Sequence, residues 1–136
     1  IQKLLDDAQA DLADIDKAVK AIADPAVQQD AQALYATGTR ILAYLKENPD
    51  KIKLARRFFT YYLDTAAKLL TRYVDFQETE LHSEEVTEIL HKTAESLPVL
   101  NKAFEKQFTH LMQGELLDVE ADIELLKSTL KMEGGK

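Results

Sequence analysis

Apolar residues recur in this chain at alternating steps of three and four positions, and this spacing restricts the fold more than any other feature. In the first segment they stand at Ile1, Leu5, Ala8, Leu12, Ile15, Val19 and Ile22. Residues spaced in this way lie along one side of an α-helix, with the period of a coiled-coil seam. No segment shows the alternating pattern of a β-strand. The spacing therefore predicts an all-α protein.

The second segment repeats the pattern between two proline signals. Asp24 before Pro25 predicts an N-cap followed by proline at the first helical position. The apolar and small positions are Val27, Ala31, Leu34, Gly38, Ile41 and Leu45. Because Gly38 has no side chain, a neighbouring helix can approach closely there. The break at Asn48-Pro49-Asp50 ends this helix.

The third segment, from about Lys51 to Glu80, is the most aromatic part of the chain. Six of the ten aromatic residues lie between Phe58 and Phe76. Its seam is Ile52, Ala55, Phe59, Tyr62, Ala66, Leu69, Tyr73 and Phe76. We therefore expect a central helix that contacts several others.

Ser83 predicts the N-cap of a fourth helix. The seam of this helix is Val86, Leu90, Leu97, Leu100, Phe104, Phe108 and Leu111. Pro98 predicts a kink or the start of a new helix. The pattern resumes as Leu116, Val119, Ile123, Leu126 and Leu130 after a one-residue slip, which predicts a break near Gly114. Gly134-Gly135-Lys136 predicts a frayed end.

Segments of this length joined by very short turns predict antiparallel neighbours. We therefore expect an all-α, antiparallel bundle of four to five long helices with coiled-coil-like heptad seams. Residues 1–136 form a single helical-bundle domain in this interpretation. The chain begins at Ile1 and already reads as helix there, so we expect a fragment of a longer chain.

The composition narrows the chemistry that the chain can perform. Its net charge of −7 disfavours nucleic acid as a partner, and the absence of cysteine excludes thiolate nucleophiles and thiolate metal sites. No run of about 18 apolar residues would span a bilayer. None of the three serines stands in a Gly-x-Ser-x-Gly elbow, and no phosphate-binding glycine loop is present. We predict no catalytic residue and no cofactor.

One Glu-x-x-His pair, Glu88 and His91, has the spacing that di-iron helical bundles use for ligands. Such a site needs two of these pairs and further glutamates. A single pair on a Glu-rich helix favours a solvated helix face, and we predict no metal site.

Two clusters leave alternatives open. The first is a group of basic residues that form either an ordinary solvated surface or a patch that binds an anionic group, such as an acidic helix. These residues are Lys46, Lys51, Lys53, Arg56 and Arg57. The aromatic block Phe58–Tyr62 is core, or in part a groove for a ligand or partner. Tyr61 and Tyr62 are the expected members of an internal polar network.

The stretch Arg56-Arg57-Phe58-Phe59-Thr60-Tyr61-Tyr62-Leu63-Asp64-Thr65-Ala66-Ala67-Lys68-Leu69-Leu70, followed by Tyr73, resembles the XpaC-like family, which is named for 5-bromo-4-chloroindolyl phosphate hydrolysis. The stretch Leu117–Lys127 is similar to the family's closing helix. The chain departs from the usual pattern at Thr60, where asparagine is common, and at Asp64, where proline is common. The resemblance implies the cytoplasmic helical domain of a bacterial protein, tethered to a membrane through an N-terminal segment and linked with toxic-anion (tellurite) resistance.

Three functions are consistent with these features. The first is a non-catalytic interaction or scaffold domain that binds a protein partner or self-associates. The second is a hydrolase for phosphate esters of the 5-bromo-4-chloroindolyl type, in which basic residues and tyrosines converge. The third, a membrane-surface adaptor that binds through Lys46–Arg57, is disfavoured by the net charge. We favour the first, with a ligand or partner groove formed by Arg56, Arg57, Tyr61, Tyr62, Thr65 and Lys68.

Overall fold

The computed structural model describes residues 1–134, nearly all of them helical. The α-helices are α1 (Gln2–Ala21), α2 (Pro25–Glu47), α3 (Asp64–Glu78), α4 (Glu84–Leu111) and α5 (Gln113–Met132). A 3₁₀ segment (Pro49–Ala55) and a π-helical segment (Phe58–Leu63) join α2 to α3. Residues 1–134 contain no strand, so the predicted all-α class is confirmed. None of these helices combines the length and apolar character needed to cross a bilayer. The predicted frayed end falls partly on Gly135 and Lys136, outside the described residues.

Helices α1 and α3 are parallel neighbours. The side-chain amide of Gln77, near the end of α3, donates to the carbonyl of Ala21, the last residue of α1, at 2.8 Å. Asp64, the first residue of α3, lines the same surface depression as Asp7 in the first half of α1. The two helices therefore run in the same direction.

Helices α2 and α4 are also parallel neighbours. Asn101 donates to the carbonyl of Asp30 at 3.0 Å, and further along both helices the Tyr44 and Phe108 rings meet edge to face at 5.6 Å. Helix α1 packs on α2 and α3, and α4 packs on the same two helices. Consecutive helices of this four-helix bundle run antiparallel, as predicted, while the pairs α1/α3 and α2/α4 run parallel.

The predicted helix starts are confirmed. The Asp24 carboxylate accepts hydrogen bonds from the N–H groups of Ala26 at 2.9 Å and Val27 at 3.3 Å, and Pro25 is the first residue of α2. The Ser83 hydroxyl accepts from the N–H of Val86 at 3.3 Å. Each cap satisfies backbone donors that have no partner within the helix.

The core extends along the bundle axis and combines side chains from α1 to α4 with the segments between α2 and α3. Phe58 of the π-helical segment and Phe104 of α4 meet edge to face, with ring centroids 5.2 Å apart. The largest fully buried side chains are Ile15, Leu34, Ile41, Leu45, Ile52, Phe58, Leu63, Leu70, Leu97 and Phe104.

The π-helical segment shifts the seam predicted for the third segment. Phe58 and Phe59 are both buried, and after them Leu63 and Leu70 face the core. The predicted positions Ala66 and Tyr73 are buried as expected, but Tyr62 and Leu69 are only half-buried and Phe76 is 39% exposed. A π turn contains more residues than an α turn, so it rotates the following helix relative to the spacing that a regular helix would have.

The fourth predicted segment divides near Gly114, as expected. Helix α4 continues through Pro98 for 28 residues, so the alternative of a new helix at this proline is wrong. The break falls at Met112, two residues before Gly114, and the Met112 φ of −95° and ψ of 4° leave the helical range. A Cβ atom added to Gly114 would meet nothing within 4 Å, so no packing requires glycine there.

Gly38 lies where four elements meet. A Cβ atom at this position of α2 would lie 2.9 Å from Leu12 Cδ2 of α1 and 3.6 Å from both Leu63 Cδ1 and Phe104 Cε2. The close approach predicted at Gly38 is therefore present, and it holds α2 against α1, the π-helical segment and α4.

We expect Gly38→Leu to lower the free energy of unfolding by about 3 kcal/mol, because the added atoms enter a filled space. Gly38→Ala should change it by less than about 1 kcal/mol, because better helix propensity offsets a small movement of the flexible Leu12 tip. Urea denaturation followed by circular dichroism measures both, with Gly114→Leu as the exposed control. Equal midpoints for Gly38→Leu and Gly114→Leu would contradict close packing at Gly38.

Candidate functional site

Helix α5 carries an exposed apolar surface. Its described residues are all unburied, and its contacts with the bundle include those with α4 and with the groups near its first turn. The apolar positions that share one side of α5, called here the α5 stripe, are Leu116, Val119, Ile123, Leu126 and Leu130. Their side chains are 46% to 58% exposed. A continuous apolar face of this kind on a helix marks an interaction surface.

A polar cluster holds the junction between α4 and α5. The Lys51 ammonium, on the 3₁₀ segment, donates to the carbonyl of Leu111 at 3.1 Å and to the Glu115 carboxylate at 3.2 Å. It also donates to the Tyr44 hydroxyl, which in turn donates to Glu115 at 2.7 Å. Lys51 thus places a positive charge at the C-terminal end of α4, where the helix dipole favours it, and ties the first turn of α5 to the bundle.

Each member of this cluster stabilises the charge of the other. The hydrogen bond with Tyr44, followed by that with Glu115, raises the pKa of Lys51. The hydrogen bonds from Tyr44 and then from Lys51 lower the pKa of Glu115. Both groups therefore stay ionised around neutral pH. Of the two alternatives for the basic residues, Lys51 therefore fits the second, because it binds an acidic helix. The group that it binds, Glu115, is 64 residues away in the same chain.

The predicted groove residues divide into separate groups. Arg57 lies over the rings of Tyr61 at 5.1 Å and Tyr62 at 5.7 Å, and the two rings meet edge to face at 5.1 Å. Thr65 is half-buried, and Arg56 is exposed. Tyr61 is 51% exposed, so its predicted place in an internal network is wrong; Tyr44 forms the polar network of this structure instead.

Lys68, the sixth predicted residue, lies in a cleft between α1 and α3. Its ammonium pairs with the Asp64 carboxylate at 2.9 Å on the exposed side of α3. This α1–α3 cleft has a volume of about 510 Å³. Its lining residues are Asp11, Asp14, Asp64, Ala67, Lys68, Thr71, Arg72, Asp75 and Phe76. Of the six predicted residues, Lys68 alone lines it in the described part of the chain.

The α1–α3 cleft alters the acidity of one of its carboxyl groups. Burial raises the pKa of Asp11 to about 6, and the nearby charges of Asp64, Asp14 and Asp7 add to this effect, while Lys68 opposes it. Asp11 therefore exchanges its proton in a range where an exposed aspartate is fully ionised. A perturbed carboxyl group in a cleft is also a common property of functional sites.

The Glu-x-x-His pair lies on a solvated helix face, as expected. Glu88 pairs with Lys92 at 3.2 Å and His91 contacts Glu95 at 3.3 Å, and all four side chains are largely exposed. Within residues 1–134, no three His, Asp or Glu side chains are grouped so that they could hold a metal ion.

These features define an all-α domain in which a four-helix bundle presents a projecting fifth helix. Residues 1–126 match the sequence model of the family described as 5-bromo-4-chloroindolyl phosphate hydrolysis protein, and the chain belongs to this family. The match includes α1 and α2, which resemble the family only in general character and carry none of the motifs quoted above.

Among curated proteins, the chain is similar to Protein XpaC of Bacillus subtilis (strain 168), with 27% identity over 132 residues. The aligned part covers 96% of this chain and 64% of XpaC, so the chain spans a little less than two thirds of that relative's length. No protein of solved structure matches the chain.

Stability should depend on pH through Asp11. Because its pKa is about 6 in the folded protein and 3.8 in an ordinary aspartate, the folded state holds the proton longer as the pH rises. The unfolded state binds fewer protons between these values, so the Asp11 contribution to stability falls from about pH 4 to about pH 6 and stays low above that range.

Asp11→Asn removes this loss. We expect the variant to gain about 1 kcal/mol at pH 7.5, after allowance for solvent screening of a half-buried group, and nothing at pH 3.5. Thermal unfolding across this pH range measures the difference, with the exposed Asp118→Asn as control. A gain that is equal at both pH values would contradict the raised pKa of Asp11.

Proposed function

We propose that this chain is a helical interaction domain, and that α5 is the element through which it binds a protein partner. The observation that carries the proposal is the α5 stripe, an apolar face along a 20-residue helix that buries none of its residues against the bundle. An isolated helix of this length has only marginal stability in water. Covering its apolar face stabilises it by about 25 cal/mol for each Å² removed from water.

The α4–α5 junction supports the same proposal. Lys51 and Tyr44 bind the first turn of α5 through Glu115, one residue before the stripe begins. The cluster therefore fixes where α5 leaves the bundle without covering Leu116 or the positions after it, each of which is exposed. The bundle is a platform in this arrangement, and α5 is the binding element.

The family resemblance adds a cellular setting to the proposal. It supports a cytoplasmic domain of a bacterial protein, held near a membrane by another segment and linked to the response to toxic anions such as tellurite. The net charge of −7 favours a protein partner over nucleic acid.

A photo-crosslinking amino acid placed along α5 tests this function in the full-length protein, in the cells that naturally make it. We expect a discrete crosslinked adduct with the crosslinker at Ile123 or Leu126, which lie on the α5 stripe. We expect at least fivefold less adduct at Leu117 or Leu125, which are equally apolar and exposed but lie off the stripe.

The matched positions make the result specific, because all four replace an exposed apolar residue of the same helix. None of them contributes to the core, so the bundle folds in every variant. Adduct at no position, or equal adduct at all four, would rule out α5 as a binding element.

A second candidate function is phosphate-ester hydrolysis, which the description of the family names. One observation favours it: Asp11, whose pKa is about 6, lines the α1–α3 cleft with Lys68 and Arg72. A protonated carboxyl group can act as a general acid, and the two cations can bind a phosphate. The same cleft carries four aspartates against these two cations, and their charge repels a phosphate dianion. This candidate therefore ranks second.

Hydrolysis of a chromogenic phosphate ester by highly purified protein, with and without Mg²⁺, Mn²⁺ or Zn²⁺, separates the two functions. We expect no turnover that depends on cleft residues. If turnover falls at least tenfold in Asp11→Asn and Lys68→Met but not in Arg57→Ala or Asp118→Asn, the α1–α3 cleft is an active site and hydrolysis becomes the leading function.

A further inference from the structure

We infer that the partner of α5 is the α5 helix of a second copy of this chain, paired in antiparallel orientation. The inference rests on the proposed function, because it names the occupant of the α5 stripe. It follows from three features of α5: the register of the stripe, the charges beside it, and the place where α5 leaves the bundle.

The stripe has the heptad register of a two-helix pair. Leu116, Ile123 and Leu130 stand at one of the two inward positions of the heptad, position a, and Val119 and Leu126 stand at the other, position d. In an antiparallel pair each a residue of one helix faces a d residue of the other. Ile123 then faces Leu126 of the second copy, and Val119 faces Leu130, so these four positions of each stripe cover one another, while Leu116 lies level with Glu133.

The charges beside the stripe of one copy are complementary to those beside the stripe of a second, antiparallel copy. Position e, which flanks the stripe, holds Glu120 in one heptad and Lys127 in the next. In the antiparallel register, Glu120 lies beside Lys127 of the second copy, and symmetry makes this attraction twice. Lys127 is 3.9 Å from Glu124 within its own helix, and because that pair is exposed it competes weakly.

A parallel pair of the same helices is disfavoured. It would place Glu120 beside Glu115 of the second copy, where like charges repel, and Lys127 beside Asp122, where opposite charges attract, so its flanking charges give no net attraction. The flanking positions therefore select the antiparallel orientation.

The charge pattern extends along the whole helix. From Gln113 to Glu124, α5 carries five acidic residues and no basic one, and from Leu125 to Met132 it carries two lysines and no acidic one. The helix dipole alone favours this polarity. The dipole acts along the helix axis and does not favour one side of the helix, so it does not explain why Glu120 and Lys127 both stand at position e, beside the stripe.

The bundles leave room for this pairing. When Ile123 faces Leu126, the level of Leu111 in one copy lies beyond Glu133 of the other. The two bundles then lie at opposite ends of the paired helices, separated by about 30 Å of α5. A parallel pair would bring both bundles to the same end of the stripe.

Sedimentation equilibrium of the purified chain tests the pairing. We expect a dimer of twice the 15.4 kDa chain mass, dissociating on dilution. Ile123→Asp should be monomeric at every concentration, while Leu125→Asp, which places the same charge off the stripe, should dimerise like the unaltered chain. An unaltered chain that is monomeric up to about 0.5 mM, or an Ile123→Asp variant that still dimerises, overturns the inference.

The orientation has its own test. Glu120→Lys should weaken the antiparallel dimer roughly tenfold, because the introduced ammonium then meets that of Lys127, and the double variant Glu120→Lys/Lys127→Glu should restore it. In a parallel dimer, Glu120→Lys would instead strengthen the pair by removing the repulsion from Glu115. Because the chain has no cysteine, a mixture of Val119→Cys and Leu130→Cys chains should form a mixed disulfide in preference to either self-pair. A strengthened Glu120→Lys dimer or a preferred self-disulfide overturns the antiparallel assignment.

The failure of this inference is distinct from the failure of the proposed function. A monomeric chain whose Ile123 crosslinks in cells to a different protein overturns self-pairing and leaves α5 as the binding element. A monomeric chain with no crosslink on the stripe overturns both.

Discussion

The close contact at Gly38 is the constraint on which the rest of the bundle depends. Because this position has no side chain, Leu12, Leu63 and Phe104 approach the α2 backbone from three different elements. The contact sets the separation of α2 from α1 and α4, and it places the π-helical segment inside the core. The 3₁₀ segment that follows α2 lies at the end of α4, where Lys51 reaches the carbonyl of Leu111. The start of the exposed helix α5 is therefore held by the segment that follows α2.

The features that the sequence predicts well are those with a local cause. Asp24 and Ser83 cap helices because their side chains reach backbone N–H groups two or three residues ahead. The π turn at Phe58–Leu63 has no comparable local signal, because it lets two adjacent phenylalanines enter one core, and only tertiary packing can favour that. The cluster of Tyr44, Lys51 and Glu115 joins residues far apart in the chain, so no spacing rule could find it.

In the candidate site, too, the sequence predicts the contacts between residues that are close in the chain and misses those that depend on tertiary packing. Arg57, Tyr61 and Tyr62 were predicted to lie together, and they do, because they are close in sequence. Lys68 was assigned to the same groove, but it pairs with Asp64 and lines the cleft beside α1. The apolar pattern of α5 was visible in the sequence as a seam. Periodicity describes a helix face and carries no information about whether that face is covered by the same chain, so only the structure shows that it is exposed.

A small change of backbone angle at Met112 would move the far end of α5 by a large distance. The two helices meet at a single residue with a non-helical backbone, and hydrogen bonds from Lys51 and Tyr44 hold the junction. A helix of 20 residues extends about 30 Å from that residue, so a tilt of about 10° at Met112 moves its tip by about 5 Å. A group that displaces Lys51 from Leu111 and Glu115 would loosen the junction and change the direction of α5 while the four-helix bundle stays intact.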